Sequence, residues 1–193
     1  MILEELTTPT VAKLPIREFA EHLKLGSGFS DDGSEDVILE VCLRSAMAAI
    51  EVRIGKALIK RSFSWQITRW FALDAQALPI APVVEITSVT LVSDGGSDVI
   101  DPARYGLEKD SQRPKLTARG ALPNIPEGGH AVIVFDAGFG PWANVPADLR
   151  HAMLMLAASF YENRTGEARV NGMPFGVAAL IERYRAVRIG GAR

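Results

Sequence analysis

The stretch Ala48–Phe71, AAIEVRIGKALIKRSFSWQITRWF, changes its period halfway along. Up to about Gly55 the apolar residues Val37, Ile38, Val41, Cys42, Ala46, Ala49, Ile50 and Ile54 fall at helical spacing. Beyond Leu58, the residues Phe63, Trp65, Ile67 and Phe71 alternate with Ser62, Ser64, Gln66 and Thr68. A period near 3.6 marks an amphipathic helix, and a period of about two marks a half-buried strand. The switch near Lys60 therefore predicts a helix that gives way to a sheet.

Toward the N-terminus, Ser34 is placed to cap that helix, with Glu35 and Asp36 in the first turn, where carboxylates suit the positive end of the dipole. Ala46, Ala48 and Ala49 are small and let a second helix approach closely. The preceding SGFSDDGSED reads as a polar loop. Pro15 suits the first turn of an earlier helix with Ile16, Phe19, Ala20 and Leu23 on one side, and Gly26 and Gly28 end it. Residues 1–14 read as an extended arm.

Toward the C-terminus, Pro79 and Pro82 bend LPIAPV, VVEITSVTLV is a second strand, and SDGG is a turn. Short strand pieces follow around Tyr105–Leu107 and Lys115–Leu116, and HAVIVFDAG, from His130 to Gly138, is the last strong strand. A helix then opens at Val145-Pro146 with Asp148 near its positive end. Leu149, Ala152, Met153, Leu156, Ala157 and Phe160 form one stripe along it, and it closes on the polar cluster Tyr161–Arg164. A loop leads to a last helix carrying Val177, Leu180, Ile181 and Tyr184. The expected class is α+β: a helical bundle of two N-terminal and two C-terminal helices with an inserted antiparallel β subdomain. The boundaries are an arm at 1–14, the first half of the bundle at 15–59, the β subdomain at 60–140, the second half at 141–185 and a flexible tail at 186–193.

At 193 residues the chain can bury a core without staples. Its 48% hydrophobic and 23% charged residues are ordinary for a globular protein, and a net charge of -2 disfavours a strongly basic nucleic-acid binder. A single cysteine, Cys42, excludes an internal disulfide and a cysteine-based zinc cluster, and its apolar neighbours predict a buried, inert thiol. The first residues, MILEELTTPTVAKLP, place acids before the first lysine and do not read as a signal peptide. No run of about 18 apolar residues predicts a membrane span.

Catalytic and cofactor motifs do not assemble. Gly26 and Gly28 start a G-x-G-x-x-G pattern, but its last position is Asp31 and no strand precedes it. DDGSED does not fit a calcium loop, because taking Gly33 as the loop glycine puts the first ligand on Gly28. His22, His130 and His151 each stand alone, and Ser159 lacks a nucleophile-elbow setting. Trp70, Trp142 and Phe175 sit near turns, either tucked onto the core or serving as anchors at a protein interface. Arg183, Arg185, Arg188 and Arg193 make the C-terminus the most basic stretch, either a solvated helix end or a docking tail.

Seven pieces in order resemble the head–tail connector, or adaptor, proteins of long-tailed phages and phage-derived gene transfer agents. They are a helix ending AAIEVRIGKAL, then SFSWQITRW, LPIAPVVEITSVTLV, YGLEKD, VIVFDAGFG, VPADLRHAMLMLAASFYENR and LIERYRAVR, spanning roughly residues 35–188. The resemblance implies a virion structural protein at the neck of a phage or phage-like particle, assembled in the bacterial cytoplasm. It implies a ring of identical copies, a dodecamer, under the portal protein. The ring extends the DNA channel and offers a platform to the next neck (stopper) or tail protein. DNA passes without specific binding, and no cofactor, metal, membrane or catalysis is implied. On that reading Asp31, Asp32, Glu35 and Asp36 are candidates to line the channel, Arg183, Arg185, Arg188 and Arg193 to dock on the portal, and Trp70, Trp142 and Phe175 to sit in interfaces. The Tyr161–Arg164 cluster then fixes a helix end. Two other readings stand beside it. One is a small α+β enzyme or ligand-binding domain whose site gathers His130, Asp136 and Arg150. The other is a DNA-binding module using the terminal arginines, which the net acidity disfavours.

Overall fold

The alternation after Lys60 is realised as strand β2 (Arg61–Ile67), with Arg61, Phe63, Trp65 and Ile67 buried and the serines and Gln66 between them half-buried. The structure is a computed structural model that describes residues 1–25, 35–163 and 173–185. The chain forms two units, a sheet unit of Met1–Thr8 with Ile59–Phe139 and a helical unit of Pro9–Leu58 with Gly140–Arg193. Helices and antiparallel sheets together make the fold α+β, as the two periods predict.

In the sheet unit, β1 (Ile2–Glu5), β2, β4 (Val83–Ser93), β5 (Gly96–Val99) and β8 (His130–Ala137) make one sheet in the order β1-β2-β8-β4-β5. Strands β3 (Ala75–Ala77), β6 (Tyr105–Glu108) and β7 (Lys115–Ala118) make a second in the order β3-β7-β6. Every pairing among the described residues is antiparallel. The register sets Phe63 opposite Phe135, with rings stacked at 5.8 Å, and Trp65 opposite Ile133. Such cross-strand pairs of large apolar side chains stabilise a sheet from one face.

The first residues are more than an arm. Ile2–Glu5 adds an edge strand to β2, from Ile2 opposite Gln66 to Glu5 opposite Phe63, and Glu5 pairs with Arg61 at 2.9 Å. The Leu6 amide then donates to the Ser62 carbonyl at 2.9 Å, and the Thr7 hydroxyl accepts from the Ser62 amide at 2.9 Å. At the far side, Gly138 follows β8 with φ +127° and donates its amide to the Pro82 carbonyl at 2.9 Å. A Cβ there would stand 2.6 Å from the Lys60 nitrogen and 2.7 Å from the Ile59 carbonyl carbon, so only glycine lets the end of β8 lie this close to the start of β2.

The helical unit holds α1 (Ile16–His22), α2 (Asp36–Ile54), α3 (Ala147–Glu162) and α4 (Phe175–Ile181). Helix α2 ends where the sequence predicts, at a left-handed Gly55 whose amide returns to the Glu51 carbonyl at 2.8 Å. Its buried face is Leu39, Cys42, Leu43, Ala46, Met47, Ile50 and Ile54, while Val37, Ile38 and Val41 face out. Helix α3 buries Leu149, Ala152, Met153, Leu154, Leu156 and Ala157. Phe160, which spacing puts on that stripe, is exposed, because the buried face stops at Ala157, more than a turn before the helix does. Helix α3 packs on both α2 and α4, and α1 touches α2 and α3. The last helix is α-helical through Ile181 and tightens to a 3-10 turn over Glu182–Tyr184. Ser34, Gly26 and Gly28, expected to start and stop helices, lie outside the described residues.

Candidate functional site

Three clusters of polar side chains gather residues that the sequence singles out, and each is closed by partners within its own unit. In the sheet unit, Asp136 on β8 sits opposite Ser62 on β2 and accepts the Ser62 hydroxyl at 2.6 Å. Lys60 reaches the same carboxylate at 2.9 Å and Glu85 at 3.3 Å. Burial pushes the Asp136 carboxyl up, but the Ser62 hydroxyl and the Lys60 ammonium outweigh it and hold the group below its ordinary range. The hydrogen bond to Asp136, and then the one to Glu85, raises the Lys60 ammonium above its ordinary value. Lysine and aspartate thus keep each other charged at neutral pH, and the serine hydroxyl faces a carboxylate that already holds a cation. The cluster ties β2 to β8. It does not extend to the other residues of the expected scattered site. His130 begins β8 and stands about 20 Å along the strand from Asp136, while Arg150 lies on α3 in the helical unit.

In the helical unit, the Tyr161 hydroxyl donates to Glu35 at 2.7 Å, and the Asn163 side chain donates to the Ser159 carbonyl at 2.8 Å. The polar end of α3 is therefore a fastening: Asn163 caps the last turn, and Tyr161 ties it to the residue before α2. Arg164 lies outside the described residues. Of the expected channel-lining acids, Glu35 is engaged by Tyr161, Asp36 is exposed in the first turn of α2, and Asp31 and Asp32 lie outside the described residues.

The third cluster closes the described C-terminus. Arg183 lies over the Tyr184 ring at 4.8 Å and pairs with Asp148 at 2.7 Å, and the Tyr184 hydroxyl donates to Asp148 at 2.7 Å. Burial, with the Asp148 charge behind it, raises the Tyr184 phenol above its ordinary value. Arg185 pairs with Glu182 at 2.8 Å. The Arg183 side chain stays largely in solvent and that of Arg185 partly so, and Arg188 and Arg193 lie outside the described residues.

The three aromatics part company. The Trp70 indole donates to the Pro123 carbonyl at 2.8 Å and the Trp142 indole to the Glu18 carboxylate, so both are tied into their units as half-buried side chains. Phe175, at the start of α4, is 89% exposed. One contact had no signal in the sequence. The rings of His22 and His151, each read as standing alone, meet edge to face at 6.2 Å where the end of α1 comes near the start of α3. Among the described residues no group of three or more His, Cys, Asp or Glu could hold a metal ion, and no helix is long and apolar enough to cross a membrane.

No protein-family model and no curated protein sequence matches the chain. Solved structures do. A chain in the neck of an empty GTA particle, computed with C6 symmetry, is 47% identical over 100% of both chains with a TM-score of 0.91. A chain in the neck of a native GTA particle, computed with C12 symmetry, is 43% identical over 100% of both chains with a TM-score of 0.85. A chain in the virion of a native gene transfer agent (GTA) particle is 46% identical over 100% of this chain and 99% of the other, with a TM-score of 0.86.

Proposed function

Because the chain belongs to the family of gene transfer agent neck proteins, we propose that it is a structural component of a particle neck, an adaptor that joins copies of itself in a ring. The observation that carries this is likeness over the whole chain to neck proteins of such particles. The polar clusters agree with it, because each binds strand to strand or helix end to helix start instead of opening toward a substrate. The ring sits under the portal protein, lengthens the DNA channel and presents a platform to the next neck or tail protein. It works without a cofactor. Arginine suits the docking of its C-terminal end on the portal, since a planar guanidinium pairs bidentately with carboxylates. Arg183 and Arg185, already paired with Asp148 and Glu182, precede that end, and residues 186–193 form it.

The experiment is imaging of particles from cells that carry or lack this chain. With it, a ring of this protein at the neck and complete particles are expected. Without it, DNA-filled heads that fail to gain the next neck component are expected. Complete necks in its absence would reject the adaptor role. Deleting residues 186–193 tests the docking end separately, and unchanged attachment at physiological salt would remove it from the portal contact.

A further inference from the structure

The outward face of α2 carries an uncharged stripe, with Asp36 and Arg53 exposed near its two ends. Val37, Val41, Ser45, Ala48 and Val52 follow one another at spacings of four, four, three and four. At about 100° per residue they fall within an arc of about 80°, a single stripe along the helix. All five are exposed, the valines at 69%, 58% and 86%, and Ile38 widens the stripe at its first turn. The opposite face is the buried one that packs in the bundle. A helix that is exposed on one side normally carries charged or polar residues there, and one that is apolar all round is buried all round.

The charges beside the stripe are already used. Glu40 and Arg44 pair at 2.7 Å, Arg44 also donates to the Pro9 carbonyl at 3.0 Å, and Glu51 accepts the Leu58 amide at 2.7 Å. An uncharged strip with satisfied margins offers nothing to phosphate, whose binding needs cations. It suits an uncharged protein surface. Its side chains also lose little rotamer freedom when covered, and Ser45 and Ala48 in the middle allow close approach.

We propose that this stripe of α2 is the contact made with the neighbouring copy of the chain in the ring, an inference that rests on the ring reading above. In a cyclic ring each copy presents two unlike faces to two identical neighbours, so the stripe meets a different surface of the next copy. Its size fits that place. A strip about 22 Å long and about 10 Å wide offers on the order of 250 Å², well below the ~800 Å² per partner of a stable pair. Alone it does not hold a dimer together. In a closed ring every copy is held on two sides at once, and the last contacts form at high effective concentration.

The test uses particles from cells that carry Val41→Glu or Ala48→Glu, with Val41→Thr as an uncharged comparison. Neck occupancy is counted by imaging, and thermal melting of each purified chain checks folding. Both glutamate variants should melt like the wild type, yet occupy at least about tenfold fewer necks, because each would bury an unpaired charge at every contact in the ring. Val41→Thr should keep occupancy. A photo-crosslinking residue at Val52 in otherwise unaltered chain should give covalent dimers of this chain in particles. That arm decides the matter even if a glutamate variant fails to fold. Wild-type occupancy by the glutamate variants, or crosslinks only to a different neck protein, would overturn the contact while leaving the ring intact. Wild-type particles with no ring of this chain would overturn the ring reading and this inference with it.

Discussion

Gly138→Ala probes the place where the end of β8 meets the start of β2. The backbone there has φ +127°, a region that alanine enters at about 1–3 kcal/mol. The added methyl group would also stand 2.6 Å from the Lys60 nitrogen and 2.7 Å from the Ile59 carbonyl carbon and the Lys60 Cα. These are backbone atoms, so no side chain can swing aside. Reaching ordinary contact needs a shift of roughly 0.8 Å between the two strands, an overpacking that costs about 1–3 kcal/mol. The same shift stretches the bond from the Gly138 amide to the Pro82 carbonyl. The sum is about 2–6 kcal/mol, a large share of a typical stability of about 5–15 kcal/mol. Gly120→Ala separates the two parts, because Gly120 has φ +109° but nothing lies within 4 Å of its added Cβ. Urea unfolding followed by tryptophan fluorescence and far-UV circular dichroism reads both variants. Gly138→Ala should lose at least about 1 kcal/mol more than Gly120→Ala. Equal losses would refute the argument from close approach and leave only backbone strain.

Leu156 is 2% exposed in the middle of the α3 stripe, so Leu156→Ala should lower stability by about 2–5 kcal/mol in the same assay. A loss under about half a kcal/mol would show that the site relaxes without a cavity. Tyr161→Phe removes only the hydroxyl bonded to Glu35; it should cost about 1 kcal/mol and speed amide exchange in the first turn of α2. The Asp136 cluster gives stability a pH signature. Its carboxyl lies below the ordinary 3.8 in the folded chain, so its contribution is full above that value and is lost as pH falls through the lower folded value. Lys60 is raised above 10.5, so its share is full below that value and is lost as pH rises through the higher folded value. Asp136→Asn should flatten the acid limb of a stability-against-pH curve, and an unchanged limb would mean the carboxylate gains nothing from its partners.

Where local periodicity decides, the sequence is easy to read. The alternation of Phe63, Trp65 and Ile67, the stop at Gly55 and the Val145-Pro146 start of α3 each depend on residues a few positions apart. Strand β1 escapes that reading because Ile2–Glu5 has no alternation, and its structure comes from β2, some sixty residues away. Val37 and Val41 escape it for another reason. When both faces of a helix are apolar, spacing cannot say which face the bundle takes. Arg183 reads in the sequence as one cation of a basic terminus, and Asp148 as a complement to the dipole of its own helix, so nothing local announces that the two pair. Pairings of this kind, like that of His22 with His151, appear only once distant helices are packed.

The chain crosses between its two units three times, after Thr8, before Ile59 and after Phe139. In the antiparallel register of β1, β2 and β8 these exits all lie at one end of three neighbouring strands. A tensile load between the units therefore enters the sheet through three covalent strands in parallel. Unzipping a sheet requires two adjacent strands to be drawn in opposing directions, so that their perpendicular hydrogen bonds open one at a time. Here all three are drawn the same way, and their mutual bonds are loaded very little. The connection behaves as a three-ply tether, and a protease that severs one ply leaves the other two holding.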